Sequence, residues 1–536
     1  ADDGVRVLDP AVGTGTYLLA ALQHGLEAVV DAYGPGQRPG RATVIAQSFH
    51  AFERMIGPYA VAHLRLARDI LAVGGQLPDE GVQVYLTDTL EDPRTGVQRP
   101  VPLFEQKLAD ENARARKVKA EVPVLVCLGN PPYFRETIEP GEEGVERQGR
   151  WIKEGGEGES EGILSDFLQG TPGVHAKSLY NLYVYFWRWA LWKVYENDAS
   201  TGEGIVSFIT ASSYLRGPGF AGMRRHMRET FDELWILNLG GEGRGARRSE
   251  NVFAIQTPVS IAVGVRSKHS ASGTPATVRY ARIEGPRQAK LEQLLAVSSF
   301  ASIQWHECYD GWEKPFLPAG RSDYFSWPLL TDLFPWQHSG VQLKRTWPIA
   351  PSRSVLDQRW HALQSAEADQ RKRLFSETEA RKVASVDPGE AVPPMTRYAY
   401  RSLDRQYCLA DARLMDRPRP ALWQVQSARQ LYLTSFLTEI LGLGPAAVAT
   451  HLVPDLHHFR GSYGGKHTIP LWRDAAGTNP NVTSGVLGDL GEIDPISPES
   501  LFAYVTAVLA APTYGERFYD ELEEPGPRLP LTRDII

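Results

Sequence analysis

Cysteine is scarce in this chain of 536 residues, and long apolar runs are absent. Cys127, Cys308 and Cys408 lie far apart without CxxC spacing, which argues against a disulfide scaffold or structural zinc site and fits a reducing compartment. No apolar stretch approaches the roughly 20 residues of a membrane helix, and the first residues carry no signal-peptide pattern. We therefore expect a cytoplasmic protein that does not contact a membrane.

An excess of basic residues is also absent. Lys and Arg total 57 against 64 Asp and Glu, a net charge of −7, so the chain is not a basic coat for nucleic acid. A local basic cleft remains compatible with this balance, because steering depends on where the charges lie. Hydrophobic residues make up 42% and charged residues 23%, which are ordinary globular values and exclude wholesale disorder.

Short β-branched runs alternate with helical patterns through the first half of the chain. Strands are predicted at 5–10, 43–53, 82–90, 122–129, 204–215, 233–241 and 252–265, and helices at 16–33, 54–71, 105–121 and 177–196. This alternation is typical of a parallel sheet with crossover helices.

Composition also predicts the domain organisation. A Gly- and Glu-rich stretch at about 135–175 has no apolar period and predicts a mobile surface insertion. A loop-like stretch near 266–275 predicts a boundary between an α/β domain at 1–270 and a mixed α/β domain at 271–536. Within the second domain, helices are predicted at 352–375 and from Ser497 onward.

Acidic or glycine-rich segments follow the first three predicted strands. The segment DPAVGTG, Asp9 to Gly15, suits a ligand loop, because glycines admit close approach and a helix N-terminus offers free N–H groups; a tight turn fits equally. Glu53 stands where an acid commonly binds ribose hydroxyls, or is a solvated acid. Asp88 is either a further ligand contact or a helix cap.

The segment Asn130-Pro131-Pro132-Tyr133 follows the fourth predicted strand. Its two prolines fix φ and remove two N–H donors, so neighbouring carbonyls point outward without ladder partners. Asn130 adds a side-chain acceptor, and Tyr133 adds a flat stacking face. The segment predicts a rigid site that accepts hydrogen bonds from an exocyclic amine and stacks on its ring. Asn479-Pro480 follows no strand and is typical of a simple turn.

DPAVGTG and NPPY together resemble the N6-adenine DNA methyltransferases in which the cofactor motif precedes the catalytic motif and a target-recognition region follows. The resemblance implies a Rossmann-like S-adenosylmethionine-dependent methyltransferase domain followed by a mixed α/β target-recognition domain. It implies that Glu53 binds the cofactor's ribose, that Asp88 binds its adenine, and that NPPY holds a flipped target adenine. The implied cofactor-binding residues are Asp9, Pro10, Ala11, Gly13, Gly15, Glu53 and Asp88. The implied catalytic residues are Asn130, Pro131, Pro132 and Tyr133.

Two aromatic segments extend the resemblance. In KSLYNLYVYF, Asn181 stands where the family commonly has an acid, and an aromatic core helix is the better interpretation of this segment. In ENVFAIQTP, Phe253 stands where the family places an aromatic ring against the flipped base. An ordinary buried strand residue fits the position of Phe253 equally well.

The second half narrows the resemblance to type ISP restriction-modification enzymes. Segments SGVQLKRTWPI, RYAYRSLDRQYCLADARLMDRPRPALW, KHTIPLW and YVTAVLAAPTYGERFYDELEEPGPRLPL are similar to their recognition domains. Double-stranded DNA is the implied partner. Those enzymes also carry nuclease and helicase-like modules, whose motifs are absent here, so we expect such modules on a missing N-terminal part or a separate chain. The absence of a further cofactor motif upstream of DPAVGTG, and the opening on a strand pattern, suggest truncation.

Arginines cluster with aromatic residues in the recognition region. Arginine can bind phosphate or read guanine edges, although a solvated structural loop has the same composition. The predicted DNA contacts are Arg397, Arg401, Arg405, Arg417 and Arg419. Asp404 is expected to pair with an arginine. His457, His458 and His467 lack metal-ligand spacing, so a DNA-facing or core role is expected and no metal is predicted.

The sequence thus predicts a site-specific DNA adenine-N6 methyltransferase of a restriction-modification or phage-defence system. One alternative is a methyltransferase for RNA or a protein amide, since NPPY also occurs in RNA-base and glutamine methyltransferases, although these would not need so long a recognition domain. Another is a DNA-sequence reader that has lost methylation and targets a fused nuclease or translocase. The intact DPAVGTG and NPPY segments disfavour that reader.

Overall fold

A computed structural model describes most of the chain. It covers residues 4–78, 81–94, 106–133, 148–156, 158–159, 161–171, 173–242, 249–268, 273–318, 323–460, 467–490 and 496–531. The chain divides into two compact units. The first comprises residues 1–243 and 249–319, and the second comprises residues 244–248 and 320–536.

The first unit alternates strands and helices. Its strands are β1 Val7–Asp9, β2 Phe49–Glu53, β3 Val84–Leu86, β4 Val126–Gly129, β5 Gly204–Ala211, β6 Glu233–Gly240, β7 Val259–Arg266, β8 Thr277–Arg282 and β9 His306–Glu307. Its helices are α1 Thr16–Tyr33, α2 Arg38–Ser48, α3 Ile56–Ala72, α4 Gln106–Glu121, α5 Arg150–Glu154, α6 Ser165–Leu168, α7 Leu182–Leu191, α8 Ala221–Thr230 and α9 Arg287–Leu295. The predicted α/β class is therefore confirmed for this unit.

All of these strands join one mixed sheet. Across the described residues its order is β3-β2-β1-β4-β5-β7-β6-β8-β9. The strands from β3 to β5 run parallel, whereas β7 is antiparallel to both β5 and β6. The chain moves outward from β1 to β3 and then crosses to β4 on the other side of β1. Open α/β sheets bind ligands beyond the carboxyl ends of their strands at such a reversal of strand order.

Helices cover both faces of the parallel part of the sheet. One apolar core packs α1, α2 and α3 against residues such as Ala51 and Val84, and the other packs α4, α7 and α8 against residues such as Leu8 and Phe52. Residues 182–191 of α7 are all buried, and the Asn181 side chain caps this helix by accepting from the Tyr183 N–H. The structure therefore favours the core-helix interpretation of this segment.

Several sequence predictions for the first unit differ from the structure. The stretch 43–53 was expected as one strand, but α2 continues to Ser48 because Ala42, Ile45 and Ala46 form a buried helical stripe against α1. The domain boundary was expected at 270/271, whereas β8 pairs with β6 and carries the compact unit on to residue 319.

The predicted insertion is a third difference. Residues 134–147 of this stretch lie outside the described residues. Its later part contains α5 and α6, which bury Trp151, Ile152 and Phe167 in the core of the α7 side. That later part is therefore packed onto the first unit, because its large apolar residues are buried in this core.

The second unit is built on antiparallel sheets. Its strands are β10 His338–Ser339, β11 Ile349–Ala350, β12 Met395–Arg401, β13 Asp404–Leu409, β14 Tyr432–Ser435, β15 Ala447–Thr450 and β16 His467–Pro470. Its helices are α10 Leu330–Leu333, α11 Arg353–Ser365, α12 Ala368–Phe375, α13 Pro420–Gln424, α14 Val486–Leu490, α15 Pro498–Ala510 and α16 Pro512–Arg517. The two helices predicted here are each interrupted, at residues 366–367 and at Ala511 before Pro512.

Two sheets organise this unit among its described residues. One has the order β10-β16-β14-β15 and packs with α10, α15 and α16 around a common core. The other has the order β11-β13-β12, and α11 and α12 pack on one side of it. Strands β12 and β13 form a long hairpin whose turn is Ser402–Leu403, so this hairpin carries much of the predicted arginine cluster to the surface.

Candidate active site and candidate DNA-binding surface

Four polar segments meet at the carboxyl edge of the parallel strands. Asp9 is the last residue of β1, Glu53 is the last of β2, and Asn130 follows β4 directly. Asp88 lies two residues beyond β3. Because β3, β2, β1 and β4 are consecutive neighbours in the sheet, the structure brings these predicted residues to one edge. Asp9 and Asn130 flank the reversal of strand order.

The glycine-rich loop is held by Glu53. Gly13 and Gly15 have φ of 55° and 85°, the left-handed region that favours glycine. The Gly13 N–H donates to Glu53 Oε2 at 2.9 Å, while Glu53 Oε1 accepts from the Met55 N–H at 2.8 Å. A Cβ added to Gly13 would meet no atom within 4 Å, so the loop borders open space at this residue. Glu53 therefore braces the loop as well as facing the same edge.

Asp9 carries a buried and incompletely paired carboxylate. Its Oδ1 accepts from the Ala11 N–H at 3.0 Å, whereas Oδ2 has no hydrogen-bond partner among the described residues. Burial, with a contribution from the Glu53 carboxylate, raises the pKa of Asp9 from 3.8 to about 7. A cationic ligand group at this oxygen would offset the desolvation and lower that pKa.

Gly129 brings the end of β4 against Asp9. A Cβ at Gly129 would lie 2.6 Å from Asp9 Oδ1, so a side chain cannot be accommodated without displacing the carboxylate. This close approach links the DPAVGTG loop to the residue before Asn130. Pro10 is also tied to its surroundings, because its carbonyl accepts a short hydrogen bond from the Thr89 hydroxyl.

The NPPY segment offers an unpaired acceptor and a ring. Asn130 Oδ1 is buried and has no hydrogen-bond partner in the described part of the chain. Pro131 is buried, and Tyr133 is half-buried against the adjacent apolar cores. An unsatisfied buried amide oxygen is unfavourable unless a ligand donor completes it. The geometry is therefore that of an acceptor poised for an N–H group.

Phe253 lies close in the fold to Tyr133. Both rings pack against the same small core, which contains Leu237 and Val259. Phe253 is half-buried in an irregular segment before β7, and its N–H donates to Asn251 Oδ1. The predicted strand over 252–258 is therefore wrong, because residues 252–257 form bends and β7 begins only at Val259.

The Asp88 side chain caps a turn and not a helix. Its Oδ1 accepts from the Leu90 N–H at 3.0 Å and from Gln148 Nε2 at 3.3 Å, and its Oδ2 lies 3.8 Å from Arg54 Nε. From inside the fold, Lys119 Nζ donates to the Asp88 carbonyl and to Thr87 Oγ1. Burial lowers the pKa of Lys119 to about 8.

Several residues at this edge were not predicted from the sequence. Tyr17, in the first turn of α1, is close enough to Asp9 and Tyr133 that both, after burial, contribute to raising its pKa to about 12. Lys119 and Gln148 reach Asp88 from distant parts of the chain. Of these three residues, Tyr17 alone had a local sequence signal, because it is an aromatic residue two positions after Gly15. The contacts of Lys119 and Gln148 depend on tertiary structure.

The predicted DNA-contacting arginines fall into two groups. Arg397, Arg405 and Arg417 are exposed, and Arg397 lies over the Tyr407 ring at 5.0 Å. Arg401 instead donates to Asp455 Oδ1 at 2.9 Å and lies over the Tyr400 ring at 3.8 Å. Arg419 is half-buried in a left-handed conformation with φ of 49° before α13.

One neighbouring expectation is corrected by the contacts. The Asp404 carboxylate accepts from Gln406, and it is Asp455 that pairs with an arginine of the hairpin. Arg413, in the same basic stretch, is held by Asp411 and Glu390. Arginine density alone therefore overstates the basic surface available to a partner.

His458 and His467, two of the three histidines considered above, make contacts within the second unit. His458 Nδ1 lies 3.0 Å from Thr434 Oγ1, and burial lowers the pKa of His458 to about 4. His467 Nδ1 accepts from the Leu437 N–H. Within the described ranges, the one grouping with metal-ligand distances is Asp166, Glu196 and His226, and Arg188 donates to both of its carboxylates.

Asp9→Asn should change how stability depends on pH. The folded state holds the Asp9 proton up to about pH 7, whereas the unfolded chain loses it near 3.8, so stability of the wild type should fall as pH rises between these values. The variant lacks this loss and should be more stable at pH 8, by at most about 4 kcal/mol. Urea unfolding at pH 4 and pH 8 measures it; an equal difference at both pH values would contradict the burial argument.

Gly129→Ala should destabilise the first unit. Its Cβ would overlap the Asp9 carboxylate, and overpacking of this kind typically costs about 1–3 kcal/mol. Gly57→Ala is the matched control, because a Cβ at Gly57 meets nothing within 4 Å. Thermal unfolding compares the two, and the double variant Asp9→Ala/Gly129→Ala should recover much of the loss. No loss in Gly129→Ala would show that the two loops are not sterically linked.

The comparisons with known proteins concern the specificity domain and the fold. Residues 332–535 match the family described as the type ISP C-terminal specificity domain. No curated protein matches the chain. In the part of the chain that the structure describes, no helix is long and apolar enough to cross a membrane.

Three solved structures are similar over 99% of the chain. They are the ATP-dependent type ISP restriction-modification enzyme LlaBIII bound to DNA (20% identity, TM-score 0.62), the DrdV–DNA complex (21%, 0.63) and a nuclease-deletion mutant of the type ISP enzyme LlaGI with a DNA substrate mimic (19%, 0.61). The chain covers 36%, 53% and 43% of these proteins, respectively. Residues 332–535 are thus similar to the type ISP C-terminal specificity domain, and the chain has the fold of the part of these three proteins that it covers.

Proposed function

We propose that the chain methylates N6 of adenine at specific sites in double-stranded DNA, with S-adenosylmethionine as methyl donor, within a restriction-modification or phage-defence system. The observation that carries the proposal is the unpaired Asn130 oxygen beside the buried, half-paired Asp9 carboxylate at the carboxyl edge. The Asn130 oxygen suits an amine donor, and the free Asp9 oxygen suits a cationic ligand group. The proposal also accounts for a specificity domain on the same chain.

The carboxyl edge suits S-adenosylmethionine chemically. The DPAVGTG loop would hold the cofactor through Asp9, Pro10, Ala11 and the open side of Gly13, with Gly15 starting the helix. Glu53 and Asp88 offer carboxylate oxygens for hydroxyl and amine groups. The unpaired Asp9 Oδ2 would accept from a cationic group, which removes an electrostatic penalty that the protein alone retains. S-adenosylmethionine supplies a methyl group on a sulfonium, already activated for transfer.

The NPPY segment would orient the target amine. Adenine N6 is a poor nucleophile, because its lone pair is delocalised into the ring. Asn130 Oδ1 and the Pro131 carbonyl would accept its two N–H groups and so localise the lone pair towards the methyl group. Pro132 keeps the segment rigid. This is positioning and electrostatic preorganisation, and it needs no covalent enzyme intermediate.

The base must leave the duplex to reach this edge. Tyr133 and Phe253 would flank it, since both half-buried rings border the same core. Their stacking would offset part of the cost of unstacking the base in the duplex. The sequence would be read by the second unit, for which the DNA complexes of LlaBIII, DrdV and LlaGI provide support by fold.

Asn130→Ala should reduce methyl transfer by about 100- to 1,000-fold, because it removes one preorganised acceptor. The assay follows labelled methyl groups from S-adenosylmethionine into unmethylated bacterial DNA, with the product nucleoside identified. Cofactor binding and DNA binding should persist. Asn479→Ala is the matched control: it alters an Asn-Pro pair in a loop of the second unit and should leave the rate unchanged.

The same assay separates the alternatives. Full activity in Asn130→Ala would refute the role of NPPY. DNA binding by the wild type without any methyl transfer would favour a sequence reader. Transfer to RNA or to a glutamine amide, and not to DNA, would favour the other methyltransferase classes.

Arg405→Gln should weaken DNA binding and lower the salt slope by about one, as expected for loss of one phosphate contact. S-adenosylmethionine binding should not change. Arg413→Gln is the control, because Arg413 is engaged by Glu390 and Asp411 and should affect melting temperature, not the salt slope. Fluorescence anisotropy over a salt series provides the measurement. An unchanged slope in Arg405→Gln would remove this residue from the interface.

A further inference from the structure

A fully exposed leucine lies at the tip of the β12–β13 hairpin. Leu403 is 100% exposed, the highest value among the exposed large apolar residues of the described chain. It occupies the second position of the two-residue turn between Arg401 and Asp404, which are paired across the hairpin. Its side chain therefore extends beyond the last pair of the ladder into solvent.

Turn chemistry gives no reason for leucine at this position. Two-residue hairpin turns favour Gly, Asn and Asp, which supply unusual backbone angles or local hydrogen bonds. Neither Ser402 nor Leu403 has a positive φ. A polar residue would keep the turn and avoid exposing an isobutyl group, so the leucine is better explained by a partner than by folding.

The tip is held in place despite its exposure. Ser402 Oγ donates to the His458 carbonyl at 2.6 Å, and Arg401 is anchored to Asp455. Tyr398, below the tip in β12, is fully buried and donates to the other oxygen of Asp455 at 2.6 Å. A register shift between Ala399 and Arg401 marks a bulge at Tyr400, a feature that re-aims the end of a strand. Leu403 is thus presented on a braced support.

Exposed arginines lie on the same hairpin as Leu403, next to the Asp404 carboxylate and the paired Arg401. Arg405 is exposed two residues after Leu403, and Arg397 is exposed further along the same hairpin. An apolar side chain at the end of a hairpin that carries exposed arginines matches a polyanion with an apolar interior. Double-stranded DNA has that character, since phosphates line its surface and stacked bases lie within. Side chains such as leucine are known wedges between base steps.

We propose that Leu403 is an apolar wedge that enters the base stack of double-stranded DNA when the second unit binds. The inference rests on the proposed function, because it requires DNA as the partner. Arg405 and Arg397 position the hairpin through phosphate contacts, and Leu403 separates one base step. Burial of the leucine offsets the unstacking, so the wedge changes the local shape of the DNA more than it changes the affinity.

The test uses duplexes selected by the protein itself. A randomised duplex library is enriched on the wild-type chain, and 2-aminopurine is then placed at successive positions of one enriched duplex. The fluorescence of 2-aminopurine rises when it is unstacked. Wild-type protein should produce a severalfold rise at one step, and Leu403→Ser should abolish most of it. The dissociation constant of the Leu403→Ser variant for the duplex should stay within about tenfold of the wild-type value.

Matched variants separate the wedge from general effects. Leu403→Met should retain most of the signal, because an apolar side chain of similar length remains. Leu443→Ser changes another exposed leucine of the same unit that is not part of the hairpin, and it should behave as wild type. Equal melting temperatures would show that the folds are intact.

The contrary outcomes are distinct. If Leu403→Ser binds the duplex and leaves every fluorescence signal unchanged, the wedge is refuted while DNA binding stands. If the substitution alters only self-association in sedimentation velocity, the leucine serves contact between copies of the chain and the wedge is likewise refuted. If the wild type enriches no duplex, the proposed DNA function fails and the wedge fails with it.

Discussion

The carboxylate of Asp9 occupies the space that a side chain on Gly129 would need, with only 2.6 Å between its Oδ1 and a Cβ built there. Asp9 ends β1 and Gly129 ends β4, so this closeness links the glycine-rich loop to the residue before Asn130. A side chain at Gly129 would have to displace the buried Asp9 carboxylate, so this position favours glycine.

The same closeness makes the edge electrostatically unfavourable when it stands alone. Asp9 is fully buried beside the Glu53 carboxylate, and among the described residues neither Asp9 Oδ2 nor Asn130 Oδ1 has a hydrogen-bond partner. Three acceptors with few donors form a region that a donor-rich or cationic ligand stabilises. Glu53 moderates this by using both oxygens on the N–H groups of Gly13 and Met55. Buried polar groups that reduce the stability of the protein alone are common where a fold is shaped to bind a ligand.

Short-range pattern was enough to predict much of the first unit. Helix α1 was predicted at its observed bounds, and the order of strands and loops implied one shared edge, because parallel strands end on the same side. The failures came from tertiary context. Residues 43–48 look strand-like alone but are helical because their apolar stripe packs on α1. Lys119 and Gln148 reach the edge through contacts that no local pattern encodes.

The second unit shows why residue type is a poor guide to role there. Arginines in one basic stretch serve three purposes: Arg413 ties loops through two carboxylates, Arg401 anchors the hairpin to Asp455, and Arg397 and Arg405 remain exposed. The charges of Arg413 and Arg401 are largely balanced by carboxylates within the fold. An interface that reads DNA needs both exposed arginines and arginines that are anchored within the fold. Exposed charge without an anchored support would bind with little geometric discrimination. In the hairpin, the Tyr398–Asp455–Arg401 network fixes the strand β12, from which Arg397 is exposed.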